Sequence, residues 1–249
     1  MIKYYCRISV KSNGIVVIKM ISKILTNKAR NLNEILQTKN IPNIAVVSEI
    51  DELPIVLPVL KISFTVLMPQ SQLPLSISRD NFISAIPELL EGSVIAIVPT
   101  WFETVGCVGK VREVRFPKDE ILVFIQGICR FELLEVLPEG KDTLPRIKVS
   151  YEKYKEDLNP SCNAENRENL LSTIDDFFKK FSIVQDWSTI KNTPTNVLVS
   201  AITMAFPFHP IEKQSLLKTV SLDERSKMIT KIIEMNSFSR SLDTIKTIN

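Results

Sequence analysis

The apolar pattern of this sequence changes period once, and that change limits the fold more than any other feature. Between residues 53 and 154 short apolar or alternating segments are separated by turn residues; they are PIVLPVLKI, QLPLSI, SVIAIVP, TVGCVGKVREV, EILVFIQGICRFELLEV and PRIKVSYEKY. From about residue 164 the apolar residues recur every three or four positions. Alternation is typical of strands and the longer period of helices. The sequence therefore predicts an α+β fold, in which strands come first and helices follow.

The helical half follows a polar segment, residues 156–169, which we interpret as a linker. Thr193 is the expected N-cap of a helix that begins at Pro194, and Ser221 and Glu224 form the S-x-x-E capping box of a later helix. The first helix has an apolar stripe made of Leu170, Leu171, Ile174, Phe177, Phe178 and Phe181. These amphipathic segments predict a small helical bundle.

Gly127 stands inside the longest of the strand segments. After it, Cys129 and Phe131 alternate with Arg130 and Glu132, as in a half-buried strand. A glycine inside a strand marks a bulge, a sharp bend or the close approach of another backbone. A small, strongly curved barrel needs such a bend.

Charge and cysteine spacing exclude several classes of protein. Residues 1–50 contain eight Lys and Arg against two Asp and Glu, so we treat them as a basic N-terminal extension whose order the sequence does not fix. The four cysteines show no C-x-x-C spacing, which argues against a zinc site or a disulfide framework. No stretch is long and apolar enough for a membrane span. We expect a cytoplasmic protein.

The residue patterns of common catalytic sites are missing. GCVGKV (106–111) has two residues between its glycines and a valine after its lysine, so it does not fit a phosphate loop and is expected to be a strand. His209 is the one histidine, and with no partners at ligand or triad spacing we expect it to cap a helix or lie on the surface. We therefore expect no enzymatic activity, no metal and no cofactor.

Three blocks of the sequence resemble the N-terminal substrate-recognition domain of Lon, the ATP-dependent protease. They are LPIVLPVLKISFTVLMPQSQLPLSI, VGCVGKVREVRFPKDEILVFIQGICRFELLEV and NVLVSAITMAFPFHPIEKQSLLKTVSLDERSKMITKII, within about residues 53–236. The most specific pieces are the G-x-x-R-F of Gly127, Arg130 and Phe131, and the E-K-Q-x-L-L of residues 212–217 followed by D-E-R at 223–225. The usual proline-glycine turn of the family is replaced by LMPQSQLP.

The resemblance implies a PUA-like β pseudobarrel over residues 51–155, followed by a helical subdomain over residues 164–249. It also implies a non-catalytic module that binds unfolded or specific polypeptides, as an adaptor or a protein-quality-control factor. Full-length Lon is a further candidate partner. The phosphate loop and the Ser-Lys dyad of full-length Lon are not found in this sequence, in line with the expectation of no enzymatic activity.

Trp101 and Phe102 are the candidate anchors for a bound polypeptide, because they stand in a break between two strands. The alternative is that both pack beneath a loop, as large aromatic side chains usually do. RNA binding is the alternative function, since PUA-like barrels include RNA-binding members. It requires a basic groove, whereas the cations between residues 110 and 130 are interleaved with acidic residues. Nucleic acid is therefore the less favoured partner.

Overall fold

The computed structural model describes residues 6–11, 15–20, 50–62, 65–77, 88–99, 104–116, 121–138, 144–180 and 186–246. Within these residues, eight strands form one sheet in the order β2-β1-β4-β7-β6-β5-β3-β8. They are β1 (Cys6–Lys11), β2 (Ile15–Met20), β3 (Val56–Lys61), β4 (Gln72–Ile77), β5 (Val94–Val98), β6 (Val105–Arg115), β7 (Ile121–Val136) and β8 (Arg146–Ser150). In the described part of the chain after β8, five α-helices follow: α1 (Ala164–Lys180), α2 (Trp187–Asn192), α3 (Thr195–Ala205), α4 (Pro210–Lys218) and α5 (Leu222–Lys246).

Five of the strands close into a ring because β8 pairs with both β3 and β7. The 16-residue β7 makes this closure possible, since its first half pairs with β4 and its second half with β8, while β6 runs along both halves. Most pairings are antiparallel, and β3 with β5 is parallel. Register shifts between β6 and β7 and between β7 and β8 increase the curvature that closure requires.

Gly127 lies at one of these register shifts, where it is paired with Gly109. Its N–H donates to the carbonyl of Ser71 at 2.9 Å, and its own carbonyl accepts from the N–H of Gln70 at 2.8 Å. A Cβ at this position would clash with the backbone carbonyl of Met68. The glycine therefore lets the loop before β4 lie directly against β7.

The apolar core falls into clusters that follow the two halves of the chain. The barrel side chains form two clusters, and the helices form a third around Leu198, Ile202 and Ile229. Two consecutive residues of α4 divide between them: Leu216 packs in the helical cluster and Leu217 in a barrel cluster. The helices are thus packed onto the barrel.

The predicted fold, a β pseudobarrel followed by a helical bundle, is confirmed, and GCVGKV is part of strand β6. The half-buried pattern predicted for β7 was wrong at Arg130, which is fully buried. Two predictions for the later part of the chain were also wrong. Thr193 is the C-cap of α2, which the sequence did not predict, and α3 begins at Thr195 with Pro194 in the capping position. In addition, the segment interpreted as a linker contains the buried Asp157 at the end of a 3₁₀ helix. Among the described residues no helix has the length and apolarity needed to cross a membrane.

Candidate functional site

A buried polar site lies between the barrel and the helices, around Arg130 of β7. Its Nε and one terminal nitrogen donate to the two carboxylate oxygens of Asp157 at 2.8 and 2.7 Å. The remaining donors reach the backbone carbonyls of Leu217 (3.0 Å), Thr219 and Val220 (2.9 Å). Every N–H of this fully buried guanidinium therefore has an acceptor. Because the three carbonyls follow each other closely at the end of α4, Arg130 ties the barrel wall to the helices.

Aromatic packing completes this junction. The guanidinium carbon of Arg130 lies 4.4 Å from the centre of the Tyr154 ring, and the Tyr154 hydroxyl donates to the carbonyl of Lys218 at 3.2 Å. Burial raises the pKa of the Tyr154 hydroxyl above its ordinary value. The tyrosine therefore remains a neutral donor, and it adds a second contact between the barrel half and the end of α4.

A second cation is buried beside the first. Arg225 of α5 donates at 3.3 Å to Oδ1 of Asp157, which also accepts from a terminal nitrogen of Arg130. The Nε of Arg225 has no hydrogen-bond partner among the described residues. Burial, and then repulsion by Arg130, lower the pKa of Arg225 to about 10, while Asp157 opposes this shift. The group is still charged at neutral pH. Two guanidinium groups thus share one carboxylate, and the junction depends on Asp157.

The other residues of the G-x-x-R-F motif also contribute to the interior of the barrel. Phe131 is fully buried, and its ring lies so close to Gly106 of β6 that any side chain there would clash with it. Gly127 admits the backbone of the loop before β4. All three motif residues are therefore parts of the scaffold, and none presents its side chain on an open surface.

The later motif residues fix the helices in the same way. The Lys213 ammonium donates to the carbonyl of Met204 at 2.7 Å and is mostly buried. Asp223 accepts hydrogen bonds from the Asn166 side chain and the Asn163 N–H, both at 2.8 Å, and these bonds lower the pKa of its carboxyl. Asp223 therefore links the start of α5 to the start of α1.

His209 caps helix α4, as expected from its isolation in the sequence. Its Nδ1 accepts from the N–H of Ile211 at 3.3 Å, and Glu212 accepts from the N–H of His209 at 2.6 Å. This reciprocal pair satisfies donors at the start of the helix that would otherwise lack partners. The histidine thus has a structural role.

Cys107 and Cys129 are buried in the barrel core, and Cys162 lies just before α1. Burial raises the pKa of the Cys107 and Cys129 thiols well above the ordinary value. Cys162 is half-buried and donates to Asp223 at 3.1 Å; partial burial and this carboxylate raise its pKa to about 11. The described part of the chain contains no cluster of three or more potential metal ligands. These thiols are poor nucleophiles at neutral pH.

Several cations on the barrel already have partners. Arg115 forms an ion pair with Glu113 at 2.5 Å, and Lys153 with Glu132 at 2.7 Å. Arg112 donates to the side chain of Gln126 at 2.8 Å. Because a phosphate-binding groove needs cations that are not already paired with carboxylates, Arg115 and Lys153 are poor candidates for contacts to RNA.

The predicted anchors Trp101 and Phe102 lie outside the described residues. On the described surface, exposed apolar side chains occur where β3 and β7 flank β8, and they include Val56 and Leu134. A cluster of aromatic rings also packs within the helical half, where the Phe206 ring centre lies 5.2 Å from that of Phe177 and 5.6 Å from that of Phe208. The sequence did not predict the exposed side chains of β3 and β7, because their strands read as ordinary barrel strands.

Comparisons with known proteins all indicate one family. The family described as the ATP-dependent protease La (LON) substrate-binding domain matches residues 56–235. Lon protease from Dictyoglomus thermophilum is 26% identical over 208 residues, which cover 74% of this chain and 25% of that protein. Lon protease from Flavobacterium johnsoniae is 28% identical over 192 residues, which cover 71% of this chain and 23% of that protein. The chain therefore spans about a quarter of the length of these relatives.

A solved structure shows the same fold. The N-terminal domain of the Mycobacterium avium complex Lon protease aligns with a TM-score of 0.51 at 17% identity, and the alignment covers 72% of this chain and 98% of that domain. The family match covers the barrel, the junction around Arg130 and the helices as far as residue 235. Only the substrate-binding domain is matched, and no ATPase or protease domain is.

Proposed function

Because the chain belongs to the family of the Lon substrate-binding domain, we propose that it is a non-catalytic module that binds unfolded or specific polypeptides. The observation that carries this proposal is the extent of the match, which includes the whole ring of strands and the helices packed on it. The described charged side chains that are most deeply buried, Arg130, Asp157 and Arg225, hold these two parts together. Their arrangement supports a rigid binding scaffold rather than a reaction centre.

The same proposal extends to the setting in which the module acts. We propose an adaptor or quality-control role in the cytoplasm, in which the bound polypeptide is passed to a full-length Lon protease. Trp101 and Phe102 remain the proposed anchors, since aromatic side chains give large apolar contact at low conformational cost.

Binding to an unfolded protein tests the function. The purified chain is titrated into fluorescently labelled, reduced and carboxymethylated lactalbumin, and into a labelled single-stranded RNA, and anisotropy is followed over a series of salt concentrations. We expect saturable binding to the unfolded protein that persists at high salt, because apolar contacts are not screened. Binding to RNA alone, with an affinity that falls steeply as salt rises, would replace this proposal with the RNA function.

The proposed anchors have a test of their own. Replacing Trp101 and Phe102 together with alanine is expected to weaken binding to the unfolded protein at least about tenfold, as the loss of a central aromatic contact does. Trp187→Phe is the matched control for a change in aromatic content. Equal affinity of the double variant and the unchanged protein would remove these two residues from the proposed site.

A further inference from the structure

One face of the barrel wall combines exposed apolar side chains with cations. It lies where β8 runs between β3 and β7, and we define it by Val56, Leu134, Arg146 and Lys148. On one side of β8, Val56 of β3 is paired with Lys148. On the other side of β8, the register shift between Leu133 and Glu135 of β7 places Leu134 beside Lys148. Val56 is 36% exposed and Leu134 is 59% exposed. Two apolar side chains therefore flank a central lysine.

The cations of this face belong to one strand. Along β8, the exposed Arg146 and Lys148 alternate with the buried Ile147 and Val149, so both cations lie on the outer surface. Two residues of a strand span about 7 Å, so the two charges are close neighbours. Neither forms an ion pair within the described part of the chain, although Glu135 stands opposite Lys148 in the register. The face thus offers two cations for an external acidic group.

The way in which a ligand can bind here is limited by the ring of strands. Strand β8 pairs with β3 on one side and with β7 on the other, so an added strand has no free edge of β8 to pair with. A ligand must be recognised by side chains. The exposed apolar groups favour apolar side chains of the ligand, and the two cations favour acidic groups and repel basic ones.

We propose that this face docks extended polypeptide segments in which an apolar side chain lies beside acidic residues. The inference rests on the proposed function, because it names the class of segment that the polypeptide-binding module selects. It also supplies a second contact surface besides the one proposed around Trp101 and Phe102. Because of its two cations, the face binds acidic apolar segments more tightly than basic ones.

Two labelled synthetic peptides test the inference by fluorescence anisotropy. Both are unstructured and share a Leu-Phe-Leu core, which is flanked by pairs of aspartates in one peptide and by pairs of lysines in the other. We expect the acidic peptide to bind at least about tenfold more tightly at low salt, and the preference to shrink as salt screens the charges. The double variant Arg146→Glu/Lys148→Glu should reverse the preference, whereas Val56→Ser/Leu134→Ser should weaken binding of the acidic peptide several-fold.

Control variants use exposed residues elsewhere. Ile211→Ser and Lys231→Glu replace an exposed apolar residue and an exposed cation of the helical half, and both should bind the peptides like the unchanged protein. Far-UV circular dichroism checks that each variant is folded.

The outcomes separate this inference from the proposed function. If the protein binds the unfolded protein but the variants of this face leave both peptide affinities unchanged, the docking face is wrong and the proposed function stands. If the unchanged protein binds neither the unfolded protein nor the peptides, the proposed function fails and the inference fails with it. If the acidic peptide binds the Val56→Ser/Leu134→Ser variant as tightly as the unchanged protein, and RNA displaces it, the cations act as a general anion site. The proposed selection of acidic apolar segments is then refuted.

Discussion

Replacing Arg130 with methionine should destabilise the protein more than any change on its surface. The substitution leaves the carboxylate of Asp157 buried and removes the donors that serve three backbone carbonyls at the end of α4. Breaking a buried ion pair by removing one partner costs about 3–5 kcal/mol. Arg225 stays within 3.3 Å of Asp157 and compensates part of its charge. The three carbonyls that lose their donors add to the cost, and this addition offsets the contribution of Arg225. We therefore expect the free energy of unfolding to fall by about 3–5 kcal/mol.

Urea unfolding measures this loss by two probes. Far-UV circular dichroism follows the whole fold, and fluorescence includes the signal of Trp187 in α2. The matched control is Arg115→Met, because Arg115 also forms an ion pair on a barrel strand, but with 59% and 43% of the two side chains exposed. Exposed ion pairs contribute at most about 1 kcal/mol, so the control should stay close to the unchanged protein. The two arginines then differ in burial and in the three backbone carbonyls that Arg130 serves.

A conservative change separates charge from geometry at the same position. Lysine keeps the positive charge but cannot donate in parallel to both oxygens of Asp157 and also reach three carbonyls. Arg130→Lys is therefore expected to recover only part of the loss. A loss below about 1 kcal/mol for Arg130→Met, equal to that of the surface control, would show that this junction does not hold the barrel and helices together.

Three further changes probe other parts of the scaffold. Gly127→Ala should lower the free energy of unfolding by about 1–3 kcal/mol, since backbone must move to admit the methyl group; a loss within 0.5 kcal/mol, as at a typical surface position, would contradict this. Hydrogen bonds from Asn166 and its neighbours depress the pKa of Asp223, so its stabilising contribution is present above about pH 4 and is lost as the pH falls through the lowered pKa. The stability gap between Asp223→Ala and the unchanged protein should accordingly be larger at pH 7 than at pH 2.5, and an equal gap would refute the assignment. In a Cys6→Ser/Cys162→Ser background, Cys107 and Cys129 should react with a thiol reagent at pH 8 only after unfolding, because burial raises the pKa of both thiols; rapid labelling of the native protein would contradict their buried positions.

The strand and helix pattern could be predicted because it depends on local periodicity. Alternation located the six strands between residues 56 and 150, and the helical period located most of the bundle. The error at Thr193 has a local cause. Its hydroxyl donates to the carbonyl of Thr189, so it completes α2 instead of capping α3. A Thr-Pro pair fits both arrangements, and the sequence alone does not distinguish them.

The junction could not be predicted, because its partners are distant in sequence. Arg130 reads as a solvated residue on the polar face of a strand, and Asp157 reads as part of a polar linker. Only the fold brings them to hydrogen-bonding distance and buries both. The alternation rule therefore failed at Arg130, where a charged residue is buried because the helices cover that side of the barrel.

The positions of the motif residues bear on where binding specificity can reside. Gly127, Arg130 and Phe131 are engaged with the interior, so changing them should damage stability and every binding activity together. The proposed docking face has the opposite character, since the side chains of Leu134 and Lys148 are exposed and changes there should alter stability by less than about 0.5 kcal/mol. Ligand preference can therefore change at the face while the scaffold is kept. A charge reversal that switches peptide preference without moving the urea midpoint would demonstrate this separation directly.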